Sequence, residues 1–180
     1  MIFNNEEVKA KYKSYYNINK AIKNKEIYRI DHDIYSDIPN PNPIVVASLK
    51  HRNSIITLNT AFYLYKITKK QDKKIYLACT RNADKFTEKN IEQMCMEKRM
   101  LRIGETTIKY EGMDIPIYDK ERLLIELIRK KWLMPYSYYK SIINGYRKIA
   151  NTLDMDKLKE YAPQFYNGHS ILKTIINEVF

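Results

Sequence analysis

The period of the apolar positions changes several times along the chain, and each change marks an element. Asn4 or Asn5 can cap a first helix, with Glu6 and Glu7 suited to its positive end and Val8 and Tyr12 turned inward. Only a tight turn fits before Ser14, which reads as the cap of a second helix. In that helix Tyr15, Ile18 and Ile22 share one side, and Lys13, Asn17, Lys20 and Asn24 cluster on the other. From Ile27 the period shortens to two. Ile27–Ile30, the turn Asp31-His32-Asp33, and Ile34–Ser36 predict a hairpin with Tyr28 near Tyr35. A helix pair running into a hairpin predicts a winged helix-turn-helix.

The run Pro39-Asn-Pro-Asn-Pro43 continues neither helix nor strand, so it marks a boundary between domains 1–38 and 43–180. Beyond it, Pro43 suits the first turn of a helix through about His51, and Ser54–Lys66 reads as a second apolar helix. Lys73–Thr80 predicts a strand, Thr87 the cap of a brief helix through Met96, and MLRI, TTIKY and MDIPIY three further strands. The last two strands turn at Glu111-Gly112. Asp119 caps a helix with a Leu123, Leu124, Leu127, Ile128 stripe, and helices at 135–150, 154–162 and about 169–179 follow. The fold class is α+β: a small winged helix-turn-helix, then a mixed α/β domain with a helical end.

Composition narrows the partners. The formal net charge of +11 over 180 residues favours an acidic partner, nucleic acid before an anionic membrane surface. Residues 1–42 hold seven Lys/Arg against six Asp/Glu, so most of the excess lies further on; in the first domain the helices are basic and the hairpin tip acidic. No apolar run approaches the roughly 20 residues needed to span a bilayer. Nothing resembles a signal peptide, and Cys79 and Cys95 form no ligand-spaced pair, which predicts reduced thiols in a cytoplasmic protein.

The order of segments resembles the AbiEi-type family of abortive-infection regulators, the antitoxin components of type IV toxin-antitoxin systems. The resemblance rests on Ile27-Tyr28-Arg29-Ile30-Asp31-His32-Asp33-Ile34-Tyr35 at the wing, Thr60–Leu64, Ile75-Tyr76-Leu77, and Ile115–Arg129, where Glu121, Arg122, Glu126 and Leu127 fall in register. It covers nearly the whole chain. It implies a repressor that binds double-stranded DNA at its own promoter and counters a cognate nucleotidyltransferase toxin through the C-terminal domain. A palindromic operator would call for a homodimer on DNA. The chain departs from the family pattern in two places. Only Met1–Asn4 precede the helix pair, where the family has a full helix, and the wing tip carries Asp31 and Asp33, whose charges would be repelled by phosphates.

The candidate DNA-binding residues are Lys13, Asn17, Lys20, Lys23, Asn24 and Arg29. Asn can hydrogen-bond both exposed groups of adenine in the major groove, and Lys and Arg can contact guanine or phosphate. Arg122 and Glu126, one helical turn apart, read as a surface ion pair. Lys69, Lys70, Lys73 and Lys74 read as a solvated loop. His32, His51 and His169 have no metal-ligand spacing, and the four glycines form no phosphate loop, so no metal, cofactor or catalytic residue is predicted. Two other readings remain: a protein-interaction antitoxin or scaffold without DNA binding, and a metal-dependent nuclease using Asp114, Asp119 and Glu121.

Overall fold

A computed structural model describes residues 1–180. The chain is α+β and divides into two compact units, one of Met1–Arg52 with Ile108–Ile115, the other of Asn53–Thr107 with Pro116–Phe180. The Pro39–Pro43 stretch therefore lies inside the first unit instead of separating two domains at 38 and 43.

In the first unit β1 (Ile2–Asn4), α1 (Asn5–Tyr12), α2 (Tyr15–Lys23), β2 (Tyr28–Asp31), β3 (Ile34–Ser36) and α3 (Pro43–Lys50) follow in order. The strands form an antiparallel sheet in the order β1-β3-β2. Strand β1 has no counterpart in the sequence pattern, because three residues are too few to display a period. Its pairing, Phe3 opposite Tyr35 and Ile2 opposite Ser36, sorts side chains onto two faces. On one face Tyr35 and Phe3 meet Val8, Ile18, Ala21 and Ile27 of the helix pair. On the other, Ile2 and Ile34 meet Val45 of α3, with Tyr110 and Met113 packed beside them. Asn42 caps α3 through Oδ1 to the Ile44 N–H at 2.9 Å and donates to the Tyr110 hydroxyl at 3.1 Å and Glu111 Oε1 at 2.8 Å.

The second unit contains β4 (Ile55–Ile56), α4 (Leu58–Leu64), β5 (Ile75–Thr80), β6 (Ile91–Met96) and α5 (Lys98–Leu101). Then come β7 (Glu105–Tyr110), β8 (Met113–Tyr118), α6 (Lys120–Arg129), α7 (Tyr136–Lys148), α8 (Met155–Tyr161) and α9 (Gly168–Val179). The sheet order is β6-β5-β4-β8-β7; β5 runs parallel to β6, and the β7–β8 turn, Ile108–Ile115, belongs to the first unit.

Three expected elements are corrected. The helix read at Ser54–Lys66 begins only at Leu58, since Ile55 and Ile56 form a central strand between β5 and β8. The stretch read as a helix at Thr87–Met96 holds strand β6 from Ile91 onward: the open edge of β5 pairs it from Ile75 opposite Ile91 to Thr80 opposite Met96, and tertiary pairing overrides local propensity. MLRI, read as a strand, instead spans the end of helix α5 and the bend after it. Helix α6 is buried from Glu121 through Ile128, not along one stripe. Helices α4, α8 and α9 pack around it.

Candidate nucleic-acid interface

Helices α1 and α2 are joined by two residues. Asn4 and Glu7 form a reciprocal capping box at the start of α1, the Asn4 side chain accepting from the Glu7 N–H at 2.9 Å and the Glu7 carboxylate from the Asn4 N–H at 2.8 Å. Lys13 closes α1 in the left-handed region at φ 64°, its N–H reaching the Lys9 carbonyl at 2.8 Å, and Ser14 caps α2 through the Asn17 N–H at 3.2 Å. At the far end Lys25, also left-handed at φ 59°, closes a Schellman motif: the Glu26 N–H bonds the Ala21 carbonyl and the Lys25 N–H that of Ile22.

Ile18 and Ala21 are the buried residues of α2, with Ile22 packed beside them. Tyr15, expected inward, is exposed and lies under Lys9 Nζ, 5.1 Å from its ring centre. Ala21 completes the stripe in its place. Counting turns from Ile18 and Ala21, the residues facing directly away are Tyr16, Lys20 and Lys23, with Asn19 alongside. All four are exposed, Tyr16 more so than Tyr15. Tyr16 and Asn19 were not among the residues chosen from the sequence; once Ser14 is fixed as the cap, the 100° step from Ile18 and Ala21 finds them.

The six sequence-chosen residues are all exposed, but they are not equivalent. Lys20 and Lys23 project freely from the outer face. Lys13 is exposed in the turn. Asn17 spends an amide N–H on the Tyr12 carbonyl at 2.9 Å, which holds the inter-helix turn. Asn24 donates to Glu26 Oε1 at 3.2 Å and sits at the helix end. Arg29 stands opposite Tyr35 on the edge strand β2, on the sheet face that carries the helices, next to an irregularity in the pairing between Arg29 and Asp31. At the tip, Asp31 Oδ2 accepts from Lys50 Nζ at 2.5 Å and Asp33 Oδ2 lies 3.0 Å from His32 Nδ1. The Lys50 hydrogen bond, followed by one from the His32 N–H, holds the Asp31 carboxyl below its ordinary range. The tip carboxylates are thus partnered within their own unit.

In the second unit the Arg122–Glu126 pair is not on the surface: the two residues are 0% and 2% exposed. Arg122 Nε and Nη2 reach Glu126 Oε1 at 3.1 and 2.9 Å, and Nη1 donates to the Met100 and Ile103 carbonyls at 2.8 and 2.9 Å. The guanidinium carbon lies 4.5 Å from the Tyr118 ring centre and 4.4 Å from that of Phe165, stacked between them. Arg129 adds a third cationic bond to Glu126 at 2.6 Å. The spacing that reads as a surface pair is the same for a buried one; only the burial of the whole of α6 decides between them.

No known family model matches the chain, and no curated protein matches it either.

The carboxylates proposed for a nuclease have other work. Asp119 Oδ1 caps α6 at the Arg122 N–H at 2.8 Å, and its Oδ2 accepts from Lys157 and Tyr161 at 3.3 and 3.2 Å. Glu121 accepts from the Asp154 N–H at 2.8 Å, and Asp114 is exposed. His, Cys, Asp and Glu come together nowhere in a group of three or more that could hold a metal. Of the 69–74 lysines, Lys70 lies 5.5 Å from the Tyr138 ring centre and Lys74 pairs with Glu92 at 2.5 Å. A depression of about 580 Å³ at the carboxyl ends of β5 and β6 carries Arg81, Lys98 and Arg102. Two of these have carboxylate partners, Arg102 with Glu105 at 2.5 Å and Arg81 with Glu97 at 3.9 Å. No helix is long and apolar enough to cross a membrane.

Proposed function

We propose that the first unit is a winged helix-turn-helix that binds double-stranded DNA, and that the chain is a cytoplasmic antitoxin-type regulator acting at its own promoter. The observation that carries the DNA-binding half is the order of elements: a short strand, two helices joined by two residues, then a hairpin, with sheet order β1-β3-β2. The sheet then backs α2 and leaves its Tyr16, Lys20, Lys23 face outward, where a recognition helix must present side chains to the major groove. Helix α3 completes the unit, its Val45 covering the second sheet face. The antitoxin half rests on the family resemblance, and its functional partner is a nucleotidyltransferase toxin.

Lys13, Lys20, Lys23 and Arg29 offer four phosphate contacts per copy, so log affinity should fall with log salt at a slope of about −3.6, or about −7 for a homodimer. The test is gel-shift titration of the DNA upstream of the gene at several salt concentrations. Replacing Lys20 and Lys23 by Ala should lower the slope by about 2 per copy without unfolding the chain. Absence of any salt-sensitive shift by the native protein defeats the DNA-binding reading and leaves the scaffold reading in its place. Independently, co-expression with a nucleotidyltransferase encoded beside the gene should restore growth; no rescue defeats the antitoxin half.

A further inference from the structure

The two cysteines lie 16 residues apart in sequence and are brought together by the parallel pairing of β5 and β6, which sets Cys79 directly opposite Cys95. Residues so paired project to the same face of a sheet. Their sulfurs are 3.7 Å apart, in van der Waals contact. Cys79 is buried and Cys95 exposed, so one thiol of the pair meets solvent while the other stands behind it. Strand β6 is the edge of the sheet, and a bond here would fasten it to its neighbour.

We propose that Cys79 and Cys95 are a reversible two-electron redox pair, in which a hydroperoxide oxidises Cys95 and Cys79 resolves it to an intramolecular disulfide. In the first step the Cys95 thiol gives its proton to solvent and its sulfur attacks the distal peroxide oxygen. An S–O bond forms, the O–O bond breaks, and the leaving oxygen takes a proton to depart as water or an alcohol. In the second step the Cys79 sulfur, losing its proton, attacks the sulfenic sulfur. The S–S bond forms and the S–O bond breaks, with release of water. Both electrons removed from the two sulfurs reside on the reduced peroxide. Closure needs the sulfurs to approach by about 1.7 Å, from contact to bonding distance, which side-chain rotation on directly paired strands can supply.

The surroundings link this pair to the loop between the strands. Gln93 Nε2 donates to Cys79 Sγ at 3.3 Å and to the Asp84 carbonyl at 2.9 Å, and Gln93 Oε1 accepts from the Phe86 N–H at 3.1 Å. One side chain therefore ties the Cys79 sulfur to the 81–90 crossover. Burial raises the Cys79 thiol above its ordinary value, against the lowering effect of the Gln93 hydrogen bond. That suits a resolving thiol that waits as S–H, with the exposed Cys95 meeting the oxidant first.

The test treats the full chain with stoichiometric hydrogen peroxide, alkylates remaining thiols with maleimide and reads intact mass. Native protein should lose the mass of two hydrogens, lose both maleimide adducts, yield a linked Cys79–Cys95 peptide after digestion, and regain both thiols in dithiothreitol. In Cys79→Ser the second step is blocked, and Cys95 should instead accumulate as a sulfenic acid trapped by dimedone. Cys95→Ser should leave Cys79 maleimide-reactive after unfolding and unoxidised by the same peroxide. Peroxide that gives native protein the same dimedone adduct as Cys79→Ser, or a disulfide only between two chains, overturns the proposal. So does a native protein that keeps both thiols while Cys79→Ser is oxidised.

Discussion

Replacing Arg122 by Met should be among the most damaging single changes in the second unit. Met fills much of the space between Tyr118 and Phe165, so the loss is chiefly electrostatic. The substitution strips two hydrogen bonds from the Glu126 carboxylate and one each from the part-buried Met100 and Ile103 carbonyls. Removing one partner of a buried pair costs about 3–5 kcal/mol, because the other charge stays behind without its counter-ion. Arg129 still reaches Glu126 and relieves part of this, while the lost bonds to two part-buried carbonyls add about 1 kcal/mol each. A net loss of about 4–6 kcal/mol is expected, comparable with the whole stability of a marginal domain at about 5–15 kcal/mol. The double variant Arg122→Met/Glu126→Leu should lose only about 2–3 kcal/mol, since the fully buried charge goes with its partner and only the part-exposed Arg129 loses a carboxylate. Urea unfolding followed by far-ultraviolet circular dichroism measures both; at a slope of about 2 kcal/mol per molar, the single variant's midpoint should fall by about 2–3 M. A single variant within about 1 kcal/mol of native, or a double variant as costly as the sum of its parts, would refute the reasoning.

Gly104 occupies φ +71° with its Cβ position 2.4 Å from Arg122 Cβ, so Gly104→Ala should cost about 2–4 kcal/mol by strain and overpacking; a neutral thermal midpoint would contradict this. Lys13→Gly should do the reverse, raising the midpoint by relieving about 1 kcal/mol of left-handed strain in the inter-helix turn, and under the proposed function it should also weaken DNA binding through the lost charge. The Asp31 carboxyl is lowered in the folded protein, so its contribution is complete above its unfolded value near pH 4 and is lost as pH falls through the depressed value. The group is near the surface and screened, so Asp31→Asn should cost under about 1 kcal/mol at neutral pH, and the difference from native should vanish in acid; an unchanged difference at pH 2 would exclude the Lys50 bond as its source.

Elements whose cause is local were legible in the sequence. Asn4, Ser14 and Asp119 all cap the helices they precede, because the capping oxygen and the N–H it accepts from lie within three residues. The Glu111-Gly112 turn was legible for the same reason: both residues take positive φ, as a two-residue hairpin requires. What failed has its cause elsewhere in the chain. Strands β1 and β4 are three and two residues long and exist only through their partners. Strand β6 carries no clean alternation of its own, and its register is set by β5. The burial of Arg122 depends on α4, α8 and α9 closing around α6 and on Phe165, over 40 residues further on, supplying one side of its slot.

The candidate DNA face divides in the same way. Its lysines could be found by composition, but whether each is available depends on which neighbours the turns recruit. Asn17 and Asn24 are the residues whose chemistry best fits adenine, and both have a donor engaged in shaping the helix ends. The outer face itself carries Tyr16, Asn19, Lys20 and Lys23, a set rich in charge and aromatic surface and poor in paired donors and acceptors. Such a face grips phosphates more readily than it reads bases. The hairpin tip cannot add much positive charge, because Asp31 holds Lys50 and Asp33 holds His32. Over the whole first unit ten Lys/Arg stand against eight Asp/Glu, so the proposed attraction for DNA would have to come from how charge is placed, with α2 basic and the tip carboxylates bonded to Lys50 and His32. Sequence preference in such a unit would come from Asn19, from whatever amide capacity Asn17 and Asn24 retain, and from the shape of the DNA that α2 and Arg29 can follow together.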